Sequence, residues 1–334
     1  MSRLQLGVIG AGTWGKNHVR TAAGLTDAEL AGVCDTHEGV RQGVARQYPA
    51  VFVTGDADAL LARVDAVVIA SPAATHADYA RRAIASDKPC LVEKPFTLRV
   101  ADAEAVAEAA VARNVPVLVG HLLVFHPAVD ALRALIAGGE LGRVLYMYGL
   151  RVNLGQVRAD ENALWSFGPH DVSVALHLLG ETPTRVTAQG SCYLQPGVED
   201  VVFLHMEFAS GTVAHVQLSW LDPHKERRLT VVGDRKMVVF DDMEPREKLR
   251  IYDKGVARPP EYASWGESLA IREGDIFIPK IPNVEPLAAE LAHFVRVVRR
   301  AEAPRAGAAD GVYVVRVLDA ATRSLAGGGT PIIL

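Results

Sequence analysis

A lysine stands where a buried strand stops: the apolar run Cys90-Leu91-Val92 gives way to Glu93-Lys94-Pro95. An ammonium at the carboxyl end of a parallel strand lies on the side where such sheets bind ligands. It can polarise a substrate oxygen there, and burial lowers its pKa toward proton exchange. A single lysine is otherwise a solvated loop residue, so the reading depends on what surrounds it. The start of the chain supplies a context. Leu4-Gln5-Leu6-Gly7-Val8-Ile9 runs directly into Gly10-Ala11-Gly12-Thr13-Trp14-Gly15, a strand opening through Gly-x-Gly-x-x-Gly into a helical stretch. Gly10 permits a tight turn, Gly12 lets the backbone approach a phosphate, and Gly15 lets the helix pack closely on the strand. The N–H groups at the helix start then receive a pyrophosphate. About twenty residues further on, Asp35 ends a second strand-like run, where a carboxylate accepts hydrogen bonds from an adenosine ribose. That carboxylate repels a 2′-phosphate, and no Arg or Lys follows before Arg41, so NAD is favoured over NADP. His37, if protonated, is the neighbour that would accommodate a phosphate.

These residues need a sheet to bring them together. Strand-like runs at 4–10, 28–34, 65–70, 89–92 and 115–119 alternate with helix-period segments at 14–24, 75–86 and 99–113. The alternation predicts an α/β fold whose N-terminal part is a doubly wound parallel Rossmann sheet. Its third strand ends in Ser71-Pro72, so residues 71–76, including Ser71, Pro72 and His76, border the cofactor. We place this dinucleotide-binding domain at 1–121 and a substrate-binding and oligomerisation domain at 122–334. In the second, strand-like segments at 143–152, 184–193, 200–209, 212–221, 227–233 and 236–241 predict an α+β domain with a large open, mainly antiparallel sheet. Helices at 127–138, 170–179, 285–301 and 310–326 would cover its apolar face, and 254–284 reads as an irregular loop. Ala214, Val216, Leu218 and Trp220 alternate with His215, Gln217 and Ser219, which leaves a mixed face for a homodimer or homotetramer interface.

Composition narrows the class. A formal charge of −4, from 35 basic and 39 acidic residues interspersed along 334, offers no nucleic-acid footprint and no polybasic membrane anchor. Cys34, Cys90 and Cys192 are scattered, which points away from a disulfide framework and toward a reducing cytoplasm. No signal peptide fits before the first strand, no apolar run reaches membrane-spanning length, and no histidine pair with a carboxylate has helical metal-ligand spacing.

Gly10-Ala11-Gly12-Thr13-Trp14-Gly15, Ser71-Pro72-Ala73-Ala74-Thr75-His76 and Glu93-Lys94-Pro95, in this order, resemble the glucose-fructose oxidoreductase / inositol dehydrogenase (Gfo/Idh/MocA) family. The resemblance spans essentially the whole chain. It implies an NAD(P)-dependent dehydrogenase for a sugar, sugar derivative or cyclitol, with Lys94 at the active site and a cis Lys94-Pro95 bond. The family's second-domain signature, Asp-x-x-x-His, falls on Ser166-Phe167-Gly168-Pro169-His170, so His170 matches and Ser166 replaces the aspartate. Asp171 is then the nearest carboxylate, and it is expected to contact the substrate. An imidazole suits removal of a hydroxyl proton, and His170 is the expected second catalytic residue. The resemblance also places His121 in the interdomain crossover, within reach of substrate or nicotinamide; His126, just before Pro127, reads as structural. Arg151, Asn153 and Trp165 offer polar contacts from the second domain, while Lys225, Arg227 and Arg228 suit either the phosphates of a nucleotide-linked sugar or a charged turn. The expected reaction holds NAD across the first sheet and a polyol between the domains, and Pro169-His170-Asp171 with Asp222-Pro223-His224-Lys225 resembles a nucleotide-sugar 3-dehydrogenase-like subgroup. An imine or keto-acid reductase and a non-catalytic NAD-binding regulator are the competing readings.

Overall fold

The computed structural model describes residues 3–155, 158, 161–257 and 270–334, which cluster into two units. In the first, β1 (Leu4–Ile9), α1 (Gly15–Ala23), β2 (Ala28–Cys34), α2 (Glu38–Gln47), β3 (Phe52–Thr54) and α3 (Ala57–Leu61) lead to β4 (Ala66–Ile69). They are followed by α4 (His76–Ala85), β5 (Cys90–Val92), α5 (Val100–Arg113) and β6 (Val117–Val119). The six strands pair in parallel in the order β3-β2-β1-β4-β5-β6. Strands β4, β5 and β6 are buried throughout, as continuous apolar runs must be when helices cover both faces of a parallel sheet. The order reverses between β1 and β4, and the loops after β1, β4 and β5 gather at the carboxyl ends of these strands.

The second unit begins at His126. It holds α6 (Pro127–Ala137), β7 (Val144–Val152), α7 (Ala163–Leu179), β8 (Pro183–Ser191), β9 (Val201–Phe208) and β10 (Val213–Ser219). β11 (Glu226–Gly233), β12 (Met237–Asp241), β13 (Leu249–Ala257) and β14 (Ala270–Phe277) continue a sheet of nine strands, ordered β14-β13-β12-β11-β7-β10-β9-β8 with a C-terminal strand at the far edge. Among the described residues only β7 and β10 of this sheet pair in parallel. On one face Met147, Leu204, Met206, Ala214, Val216 and Leu218 are buried, and α6 and α7 pack over this sheet. The opposite face carries Tyr146, Tyr148, Phe203 and the facing pair His205 and His215.

The irregular loop expected at 254–284 differs from the structure in part. β13 runs on through Ala257 and β14 occupies Ala270–Phe277, while residues 258–269 lie outside the described residues. Neither strand shows in the sequence, because Lys254-Gly255 and Arg272-Glu273-Gly274 interrupt any apolar alternation.

The chain then returns to the first unit. α8 (Pro286–Val298) places Leu291, Phe294, Val295 and Val297 in one core with Leu6, Leu91 and Leu118, and Arg20 pairs with Glu285 at 2.5 Å. We expected this helix over the second sheet. Its apolar stripe specifies burial against a sheet without saying which one. The structural grouping thus differs from a division after residue 121: Met1–Phe125 and Val284–Arg316 form one unit, and α9 (Ala308–Ala326) divides between the two after Arg316. β15 (Ile332–Ile333) closes the second sheet beside β8. Among the described residues no helix is long and apolar enough to cross a membrane.

Candidate active site

The nucleotide cradle is built from backbone. Gly10 takes φ +88°, and a Cβ there would meet the Ser71 nitrogen at 2.7 Å, so the loops after β1 and β4 approach as closely as they do only because Gly10 lacks one. A Cβ on Gly15 would collide with the Gly10 carbonyl. At Gly12 the same direction is open, with nothing within 4 Å, and Gly12, Thr13 and Trp14 are exposed. The first turn of α1 has no side-chain cap and no acidic residue. Its N–H groups and dipole suit a diphosphate, and the open space above Gly12 admits one, so these residues fit NAD.

Asp35 serves this loop directly. Its Oδ2 accepts from the Ala11 N–H and its Oδ1 from the His37 N–H, both at 2.8 Å. Each oxygen keeps a lone pair, as a ribose contact requires. Arg41 donates from Nη1 to the carbonyls of Asp35 and Thr36 at 2.9 and 2.8 Å, so the first cation after Asp35 braces backbone.

Below the cradle lies Glu93. Its carboxylate accepts from Trp14 Nε1 at 2.6 Å, His18 Nε2 at 2.7 Å and the Lys94 N–H at 3.0 Å. Burial alone would raise this carboxyl; the bonds from His18, Trp14 and Lys94 outweigh it and hold the group below the ordinary carboxylate range. Glu93 therefore ties the glycine loop, α1 and Lys94 to one charge. The Lys94-Pro95 bond is cis. His76, buried, sets Nδ1 2.8 Å from the Pro95 carbonyl and Nε2 2.9 Å from the Ser71 carbonyl; the neutral ring donates to one of the two, and only the protonated ring bonds both loops at once. Burial pushes its pKa down. Ser71 and Thr75 hydroxyls lie 2.7 Å apart, with Thr75 donating to Pro72.

Two further groups stand close to Glu93. The Gly120 backbone runs against it, a Cβ there meeting its Cδ at 3.1 Å, and His121 follows, 1% exposed with its pKa pushed down to about 4 by burial. Glu290 on α8 is also 1% exposed, and burial, reinforced by Glu93, raises its carboxyl well above the ordinary range. Glu290 is not among the residues expected from the sequence. The signal was present: it falls on the apolar stripe Leu287, Leu291 and Phe294, where a carboxylate has no solvent to face.

In the second unit, α7 starts at Ala163, earlier than expected. Asn162 caps it by accepting from the Trp165 N–H at 3.0 Å, and Pro169 sits inside the helix. Proline usually marks a helix start, which is why the first two turns were not foreseen. His170 consequently lies two turns into α7, with Ser166 buried one turn before it. Arg151 and Asp171 are brought together: Nε to Oδ2 at 2.5 Å and Nη2 to Oδ1 at 3.4 Å, both side chains about nine-tenths buried. The Asp171 carboxylate is thus committed to Arg151, and the pair clamps β7 to α7. Trp165 donates from Nε1 to Thr322 at 3.0 Å. Arg227 lies opposite Arg151 in register, its pKa lowered by burial and by that like charge, and meets Asp242 at 3.9 Å; Arg228 meets Glu226 at 3.3 Å. His126 caps α6, Nδ1 accepting from the Ala128 N–H at 3.0 Å.

A 3-2-1-4-5-6 parallel sheet, a glycine loop at its switch point and a lysine after β5 define the class: an oxidoreductase that uses a nicotinamide dinucleotide. The comparisons agree. Residues 4–121 match the model of an oxidoreductase family with an NAD-binding Rossmann fold, and residues 129–239 match the GFO/IDH/MocA C-terminal domain, so the chain belongs to the Gfo/Idh/MocA family. It is 31% identical over 327 residues to UDP-N-acetylglucosamine 3-dehydrogenase of Acidithiobacillus ferrooxidans, covering 96% of each chain. A solved structure of that name and organism aligns with TM-score 0.83 and 26% identity, over 98% of this chain and 99% of that one. Inositol 2-dehydrogenase of Rhizobium meliloti is 26% identical over 334 residues, 97% of each. The structure of GenD2 from gentamicin A biosynthesis, solved in complex with NAD, gives TM-score 0.81 at 27% identity, over 100% of this chain and 97% of that one. NAD is the cofactor of this chain's first unit.

Proposed function

We propose that the chain oxidises a secondary alcohol of a sugar, sugar derivative or cyclitol, with Lys94 polarising the reacting hydroxyl and His170 taking its proton. The observation that carries this is the anchoring of Glu93. A buried carboxylate tied to Trp14, His18 and the Lys94 N–H fixes the backbone of Lys94 beside the nucleotide cradle, where an ammonium has a catalytic use. NAD, when bound, supplies the nicotinamide that accepts the hydride. Asp35 orients the ribose, and Gly10, Gly12, Thr13, Trp14 and Gly15 hold the diphosphate. A nucleotide-linked sugar is the favoured substrate class. The relative named for UDP-N-acetylglucosamine supports it; Arg227 and Arg228 do not act together here, since as neighbours on β11 they point to opposite faces of the sheet and meet Asp242 and Glu226.

Two further readings accompany this one. A second copy of the chain covers the open face of the nine-stranded sheet, where Tyr148 and Phe203 are 39% and 41% exposed beside His205 and His215. The protein works in a reducing cytoplasm, which suits three free cysteines.

The test is absorbance at the reduced-nicotinamide band with NAD and a panel of free sugars, cyclitols and nucleotide sugars. Reduction with a nucleotide sugar is expected. Lys94→Ala should lower turnover at least about a hundredfold while NAD binding persists. Unchanged turnover in that variant sinks the Lys94 assignment, and no reduction with any compound favours a regulator.

A further inference from the structure

Glu290 has no part in the reaction above, yet its environment is unusual for a bystander. It is 1% exposed, and among the described residues neither of its carboxyl oxygens has a hydrogen-bond partner. A buried carboxylate without a partner is far costlier than a neutral carboxylic acid. The charge that acts on Glu290 is Glu93, itself an anion, so Glu290 keeps its proton. It therefore has an O–H to donate.

Glu93 has one position left to receive it. A carboxylate offers about four lone-pair sites; Trp14, His18 and the Lys94 N–H occupy three of them. His121 is the second orphan: it is as deeply buried as Glu290, neither ring nitrogen has a partner among the described residues, and it too responds to the Glu93 charge. The elements bearing the two orphans touch. The 3-10 turn Leu122–Phe125, directly after His121, packs on α8, with the Phe125 ring 5.2 Å from that of His293. A buried water is held by two to four polar partners, and Glu290, His121 and Glu93 provide three.

We propose that Glu290 is a positioning residue for the reaction: as a neutral acid it donates, through one ordered water shared with His121, to the remaining lone pair of Glu93 and so steadies the carboxylate that holds Lys94. The proposal rests on the assignment of Lys94. Around Glu93 the other titratable groups are His18 from α1, Lys94 from the loop after β5 and His121; on α8 itself, His293 is engaged by Glu302 at 2.7 Å, and Arg296 reaches the same carboxylate at 3.1 Å.

Two measurements on the full chain test it. Infrared spectra at neutral pH, recorded without substrate, should show the carbonyl stretch of a protonated carboxyl that Glu290→Gln lacks; identical spectra overturn the proposal and leave the dehydrogenase reading intact. With the substrate found by the panel, Glu290→Leu should lower kcat about tenfold with KM within about twofold, and Glu290→Gln, whose amide retains a donor, should recover most of it. Equal kcat in all three proteins overturns the positioning role. Should Glu290→Leu fail to fold, Glu290→Met takes its place in the kcat comparison, and absence of the band from the unaltered chain still ends the proposal.

Discussion

At Asp35 one carboxylate takes two backbone N–H groups and, in the proposed complex, a ribose, so alanine there would loosen the glycine loop as well as remove a ribose contact. Asp35→Asn keeps an acceptor for one of the two, Ala11 or His37, and removes the charge together with the other backbone bond. It should weaken NAD by about tenfold in calorimetric titration and NADP by less, since the 2′-phosphate loses a repelling neighbour; equal loss of both contradicts the NAD preference. Glu290 and Glu93 differ in sign. The folded-state pKa of Glu290 lies above its ordinary value of 4.5, so the native chain binds more protons than the unfolded one above that pH, and this group's contribution falls as pH rises toward the folded pKa. Glu93 is depressed, so its contribution is present above the same value and is lost as pH falls through its folded pKa. The melting temperature of Glu290→Leu, taken relative to the unaltered chain, should accordingly be higher at about pH 8 than at about pH 5 in scanning calorimetry. An equal difference at the two pH values would mean that the carboxyl titrates alike in the folded and unfolded chain.

Among the elements, α7 and β7 depend on one buried ion pair. Removing either charge strands the other, and Arg151→Leu or Asp171→Leu should each cost about 3–5 kcal/mol in urea unfolding, with much of the loss recovered in the double variant. Additive losses would show that the clamp is only packing. The elements also show what the sequence could and could not reveal. β1, β2, β4, β5 and β6 were legible as apolar runs ended by turn residues, and the motifs at their carboxyl ends were legible with them. β3 was not, because Phe52-Val53-Thr54 is too short to show a period. α2 was hidden by Gly39 and Gly43, which lower helix propensity, and by its polar surface. Glu93 was visible as a letter beside Lys94, but its partners Trp14 and His18 come from another element, and only the parallel register brings them within hydrogen-bond distance. Asp171 likewise read as a substrate contact because the residue opposite it on β7 cannot be inferred from spacing.

For the whole molecule, the open sheet face is the feature with the largest untested consequence. Tyr148→Glu combined with Phe203→Glu places charges in the proposed interface and should give a monomer in light scattering where the unaltered chain gives a larger particle; a monomeric unaltered chain overturns the second-copy reading, and an unchanged larger mass puts the interface elsewhere. The first unit has its own large-scale peculiarity, in that its core is closed by α8. During synthesis β1 to β6 leave the ribosome long before Leu291, Phe294 and Val295 exist, and the ion pair joining α1 to the start of α8 spans 265 positions. The nucleotide-binding unit therefore cannot mature first, as an N-terminal domain ordinarily does. It waits, with part of its sheet bare, until α8 has been translated. A nascent chain arrested before residue 284 should stay open to protease across its cofactor loops and recruit holdase chaperones, and both should cease only once α8 has emerged.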